Sequence, residues 1–424
     1  MIGCGRPMIG CGFGKVLQSW PFFVQFPGNR TLKHPARRAG GHLGPGWVAI
    51  MVWEAGRVQE DPLTLAQRLA ADGDHAGALR LARDLEAEYE QAGDPAATML
   101  VWVRLCLARW LAVQQEPDRP AALAVLDAAE LTWRTPVVQD SELVQVLGAE
   151  LMSLRSFVLR QLGYAADSLA AGERALALFD ELAQTAPEVL SAVGHVPILL
   201  NRGAALADLG RTAESLPPLA EALETLRASG AAHREVEVEL LVLRGTSLTL
   251  LTRFDEAEAV ELEAIALART ESGRAMRHLL ATALSNHATT LIRMRRHDEA
   301  LVSVGEAMAV LRETDGEPVT AAQRRRWWLP LSTEAEVLLA LGRREQAARS
   351  ARRAEPILRE YADQAPLLVA GSLANVCLLL GEAEDDPGYA REALARLTVL
   401  NDRFPGRYEY WWRRARDLVT RLGA

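Results

Sequence analysis

Three groups of residues have the types and spacing to do chemistry, and each has a plainer reading. Arg324, Arg325, Arg326, Trp327 and Trp328 form the densest basic–aromatic run. Guanidinium forks of this kind can grip a phosphate or a carboxylate in two places at once. The plainer reading is a helix start whose tryptophans pack inward and whose arginines face water, with Asp315, Glu317, Glu334 and Glu336 offsetting the charge. Gly12-Phe13-Gly14-Lys15 has the look of a phosphate loop, but Ile9 stands where its first glycine belongs and Val16 where the magnesium-binding hydroxyl belongs. Cys4, Cys11, His34 and His42 are the right types for zinc but lack a zinc-site spacing. No HExxH, CxxC or GxSxG motif occurs. The expectation is therefore no catalytic residue, no metal and no cofactor.

The elements that must position any site form a repeat. Gly203 lies twelve residues before Ser215, and Ala222 lies seven after it. Gly245, Ala257 and Ala264 keep the same spacing, as do Ala288, Ala300 and Ala307, then Ala335, Ala347 and Ala354, and earlier Ser156, Ser168 and Ala175. Seven residues is about two helical turns, so each pair shares a helix face. Small side chains there let two helices approach closely. Leu206, Leu248, Leu291 and Leu338 each follow the first small residue by three, and Gly163, Gly210 and Gly342 fall where a helical hairpin must turn. The middle position recurs at Ala78, Ala122, Ser168, Ser215, Ala257, Ala300, Ala347 and Ala393, at steps of 42 to 47 residues. A near-constant period means stacked units, each burying its apolar face against its neighbours. The last unit reads as irregular, with an acidic insertion over Glu382–Pro387 and Leu400 at a small position. Beyond it, Tyr408, Trp411, Trp412, Ala415, Leu418, Val419 and Leu422 recur at helical spacing, with Arg413, Arg414, Arg416, Asp417 and Arg421 on the other face.

The period alone suits HEAT or armadillo repeats, about 40–47 residues. The internal pattern, small residue, Leu, turn glycine, then two small residues, resembles tetratricopeptide repeats of a long type. These look like the arrays of kinesin light chain and of actinobacterial regulator sensor regions. The resemblance covers roughly residues 62–400 and implies an all-α, right-handed superhelix of about eight hairpins with a C-terminal capping helix. In that family the first helices line a concave groove, and an Asn two residues before the small position often bonds an extended peptide. Asn201 and Asn286 match that position, and Thr246, Thr289, Glu336 and Arg293 occupy neighbouring groove positions. An amide both donates and accepts, which suits a peptide backbone. The other reading of the two Asn residues is hydrogen bonding between repeats. The fifth and seventh repeats place Leu243 and Thr333 there, which breaks any continuous Asn ladder.

Charge and composition narrow the function. The net charge is −8, but residues 1–50 hold six Lys or Arg and no Asp or Glu, which leaves 41 basic against 55 acidic residues on the remainder. An acidic body argues against general nucleic-acid binding. No uncharged apolar run reaches membrane-spanning length, and four cysteines give no disulfide framework, so a cytoplasmic setting is expected. Residues 1–50, with ten glycines, five prolines and MIGCG twice, read as a disordered leader or as sequence upstream of a true start at Met51. Residues 51–400 read as the repeat array and 401–424 as its cap. The expected function is a non-enzymatic scaffold binding a protein or peptide in the groove. The alternative is a sensor of a signalling peptide or small ligand that acts through a separate effector. A scaffold calls for a broad groove with mixed polar residues, and a sensor for a closed apolar pocket of ~300–1,000 Å³.

Overall fold

The computed structural model describes residues 62–423 apart from 115–116, 142, 186–193, 231–232, 319, 365 and 405–406. The leader, the set Cys4, Cys11, His34 and His42, and the start at Met51 lie outside the described residues. Every regular element among the described residues is helical. In chain order they pair as hairpins: α1 (Pro62–Ala71) with α2 (His75–Ala92), α3 (Ala97–Val113) with α4 (Arg119–Trp133), α5 (Val144–Gln161) with α6 (Ala165–Thr185), and α7 (Val196–Asp208) with α8 (Thr212–Ala228). Then come α9 (Arg234–Leu250) with α10 (Phe254–Thr270), α11 (Arg274–Arg293) with α12 (His297–Asp315), α13 (Ala321–Ala340) with α14 (Arg344–Gln364), and α15 (Pro366–Glu384) with α16 (Pro387–Arg403). A last helix, α17 (Glu409–Leu422), packs on α15 and α16. Eight hairpins are present among the described residues, in line with the expected number of about eight.

The chain divides into two compact units. One comprises the described part of Leu17–Arg155 with Glu173–His195. Its α3 is apolar enough over Asp94–Val113 to match a membrane span by composition, yet most of that stretch is buried among the neighbouring helices. Arg104 on α3 is buried and held by Glu86 at 2.8 Å, by Glu90 and by the Thr132 hydroxyl at 2.7 Å. A charge taken out of water needs this density of partners.

The second unit joins Ser156–Gly172 to Val196–Ala424. The small residues of the repeat do what their size allows. Ala257, Ala264, Ala300, Ala307, Ala335, Ala347 and Ala354 are fully buried. A Cβ on Gly203 would come 2.6 Å from Leu219, and one on Gly245 2.7 Å from Glu261, so these hairpins close on a bare backbone. Ser156 and Ser168 exchange hydroxyl-to-carbonyl bonds of 2.8 Å across the α5–α6 hairpin.

Each turn is closed by the repeated leucine. The Leu206, Leu248, Leu291 and Leu338 carbonyls accept from the amides of Arg211, Arg253, Arg296 and Arg343 at 2.8–3.0 Å. Such a closure puts the residue before the donor at positive φ. Gly210 and Gly342 supply it, but Thr252 and Arg295 do so as well, at φ 60° and 63°. Asp385, φ 53°, plays the same part between α15 and α16, and Asp386 caps α16 through Gly388 and Tyr389. The expected acidic insertion is thus an ordinary hairpin turn; its aspartates hid the pattern that glycine marks elsewhere.

Candidate ligand site on the first helices

The first helices of the second unit carry a polar row at fixed register. One residue past each small position come Thr246 (α9), Thr289 (α11) and Glu336 (α13), following Gly245, Ala288 and Ala335; on α15, where the Gly381 carbonyl takes the turn-closing bond that the repeated leucine takes elsewhere, Glu382 lies three residues further along. The first three positions fall on the same edge of successive helices because those hairpins repeat in register. Asn286 Nδ2 donates to Thr246 Oγ1 at 3.2 Å, joining α11 to α9. The Thr246 and Thr289 hydroxyls donate back to the Val242 and Ser285 carbonyls. Asn201 Oδ1 accepts from Arg160 Nε at 3.4 Å, joining α7 to α5. Both Asn side chains are buried and both bridge neighbouring repeats.

Asn201 belongs to a buried polar cluster. Glu239 on α9 is buried, and neither of its carboxylate oxygens has a hydrogen-bond partner among the described residues. Burial pushes its carboxyl up to about 8, with the Arg160 charge opposing and Glu235 assisting. Asp208, at the end of α7, is also raised by burial, against the pull of Arg407 and Arg160. Arg407, just before α17, lies 3.6 Å from Asp208, and a Cβ added to Gly210 would come 3.9 Å from its Cβ.

From there the C-terminal segment crosses the ends of the first helices. The Arg293 guanidinium sits 4.2 Å from the Tyr410 ring centroid and 3.7 Å from Glu336. Arg414 is 3.7 Å from Glu336 and is paired with Glu382. Trp411 is fully buried, and Trp412 Nε1 donates to Thr398 Oγ1 on α16 at 3.1 Å. Periodicity places Arg414 and Arg421 on a solvated face. Arg421 keeps to that face, exposed and 3.3 Å from Asp385, whereas Arg414 turns onto two carboxylates. A long guanidinium stem can cover apolar surface and still meet a charge.

Between these helices lies a cavity of about 1030 Å³. Its charged lining is Arg293, Arg295, Arg344, Arg414 and Arg421 with Glu336, Glu382 and Asp417; Phe254, Ile292, Leu339 and Leu418 supply apolar wall, and Thr252, His297 and Tyr410 complete its edge. Of the groove residues expected from sequence, Arg293 and Glu336 line it. Asn201, Asn286, Thr246 and Thr289 lie buried along the same helices outside its lining. Tyr410, Arg414, Glu382 and Arg344 escape a sequence reading.

The run from Arg324 to Trp328 is spread over several partners. Arg324 makes a two-pronged bond to Glu360 at 3.0 Å, Arg325 lies 4.8 Å from the Tyr361 ring, and Arg326 is 3.5 Å from Asp315. Trp327 and Trp328 are buried. Asp315 also accepts from His278 Nε2 at 2.9 Å and pairs with Arg274. Burial and the Arg326 charge lower His278 to about 4, so its imidazole is neutral at pH 7.

Among the described residues no cluster of three or more His, Cys, Asp or Glu has the geometry to hold a metal ion. Burial raises the Cys106 and Cys377 thiols to about 11 and about 12, so neither is a ready nucleophile.

No family profile and no curated protein matches the sequence. Solved structures do match in fold. NprR in complex with its cognate peptide NprX superposes with a TM-score of 0.57 at 15% identity, covering 87% of this chain and 100% of that one. A Rap protein complexed with competence and sporulation factor gives 0.56 at 14%, covering 85% and 98%. The apo form of the quorum sensor NprR from B. thuringiensis gives 0.55 at 16%, covering 86% and 98%. The chain therefore has the all-helical, tetratricopeptide-like hairpin-repeat fold that these proteins share.

Proposed function

We propose that this protein is a non-enzymatic, peptide-binding regulator whose ligand lies along the first helices α11 to α15, against α17. The observation that carries this is the cavity itself. It is lined by successive first helices and rimmed by charged side chains, and its volume stands at the top of the range for sites that enclose a small ligand. Its size fits the sensor expectation, whereas its mixed polar lining fits the scaffold expectation. A peptide satisfies both, because its backbone needs hydrogen-bonding partners and its side chains need pockets. The complex of the structural neighbour NprR with its cognate peptide supports the same reading. In this account residues 51–400 form the array, 401–424 close its end, no cofactor is used, and the output passes through a separate protein.

A protein scaffold is the second reading. Val302 on α12 and Val399 on α16 are about 70% exposed, large apolar side chains on second helices where a protein partner could rest.

The test is affinity capture from lysate of the source cell with the full chain as bait, followed by mass spectrometry of everything retained. A short peptide extracted from the washed complex supports the regulator. A stoichiometric protein partner, retained when α11 and α13 groove residues are substituted, supports the scaffold and rejects the peptide.

A further inference from the structure

We infer that the cavity selects a ligand bearing a carboxylate, with Arg293 as its deep anchor and the C-terminal helix as one wall; this rests on the peptide-binding reading above. Five arginines and three carboxylates line the space, so its own charge favours an anion. The arginines are not equally engaged. Arg414 is occupied by Glu382, and Arg344 and Arg421 both reach Asp385 at the rim. The Arg293 side chain is 8% exposed, and its Nε is buried with no hydrogen-bond partner among the described residues. Glu336 stands 3.7 Å away, beyond hydrogen-bond reach, and Arg414 stands at the same distance from the same carboxylate.

A guanidinium carries five N–H donors, and a buried charge is costly until they are used. A ligand carboxylate beside Arg293 would take up that capacity through charge-assisted bonds. Tyr410 underlies the guanidinium and Glu336 flanks it, which fixes the fork before the ligand arrives. Phe254, Ile292, Leu339 and Leu418 offer apolar contact to the rest of the molecule. Because Tyr410, Arg414, Leu418 and Arg421 all belong to α17, the site exists only while that helix is docked.

The experiment is affinity selection on the full chain with three hexapeptide pools. One is capped at both ends and carries Asp or Glu, one is capped and carries Lys or Arg, and one has neither but a free C-terminus. Capture from the first pool assigns a side-chain carboxylate, and capture from the third a terminal one. Arg293→Gln should then weaken binding tenfold or more. Arg295→Glu, a charge reversal at the exposed rim that leaves the packing intact, should weaken it severalfold. Arg269→Gln, whose partner is Glu306 away from the cavity, should bind as the parent does. Capture of the basic pool alone overturns the inference and leaves the peptide reading standing. Capture of none overturns the peptide reading too. Acidic peptides held equally well by the Arg293 and Arg295 variants would overturn the site.

Discussion

Arg293 at the end of α11 and Tyr410 at the start of α17 are stacked, guanidinium over ring at 4.2 Å. That contact makes the last helix part of the groove. It should be measurable in Tyr410→Ala. Loss of a largely desolvated cation–π contact costs about 1–2 kcal/mol. The variant should show faster hydrogen exchange across α17 while the exchange of α3 and α4 is unchanged.

The carboxyl of Glu239 gives a pH dependence with a definite sign. Its folded-state value, about 8, lies above the ordinary 4.5, so the folded chain holds this proton more tightly than the unfolded chain does. Stability from this group is full below about pH 4.5 and is lost as pH rises toward 8. Asp208, also raised, adds in the same direction. Glu239→Gln should match the parent near pH 4 and exceed it in chemical denaturation at pH 8.

Thr252 holds φ 60° in a turn where other repeats use glycine. A left-handed conformation costs a residue with a Cβ about 1–2 kcal/mol, and glycine returns some of that through unfolded-state entropy. Thr252→Gly should therefore raise stability by roughly 0.5–1 kcal/mol. Gly210→Val should lower it, and thermal melts of the pair decide the matter.

The Asn residues make a two-part prediction. Asn286→Ala removes the bond to Thr246 and should cost about 1 kcal/mol of stability. Asn201→Ala with Asn286→Ala should lower stability further yet leave ligand capture in place, because both amides are buried outside the cavity lining. Undiminished capture would confine the two amides to holding neighbouring repeats together.

The hairpins were legible because small residues, leucine and glycine each answer one steric demand, and those demands recur in every unit. Thr252, Arg295 and Asp385 were illegible as turns because the closing bond imposes positive φ on whatever residue is there. The cavity was half legible. Arg293 and Glu336 follow from repeat register, whereas Tyr410 and Arg414 depend on where α17 lies, and helical periodicity gives a face but not what it meets. The arginine–tryptophan run is the converse case. Adjacent in sequence, its side chains diverge around a helix to Glu360, Tyr361 and Asp315.

The most direct test of the account is hydrogen–deuterium exchange on the full chain with and without the peptide recovered from lysate. The account predicts slowed exchange at the C-terminal ends of α11 and α13 and throughout α17, with the outer faces of α10 and α12 unchanged. Protection confined to the second helices, or to the unit built around α3 and α4, would contradict it.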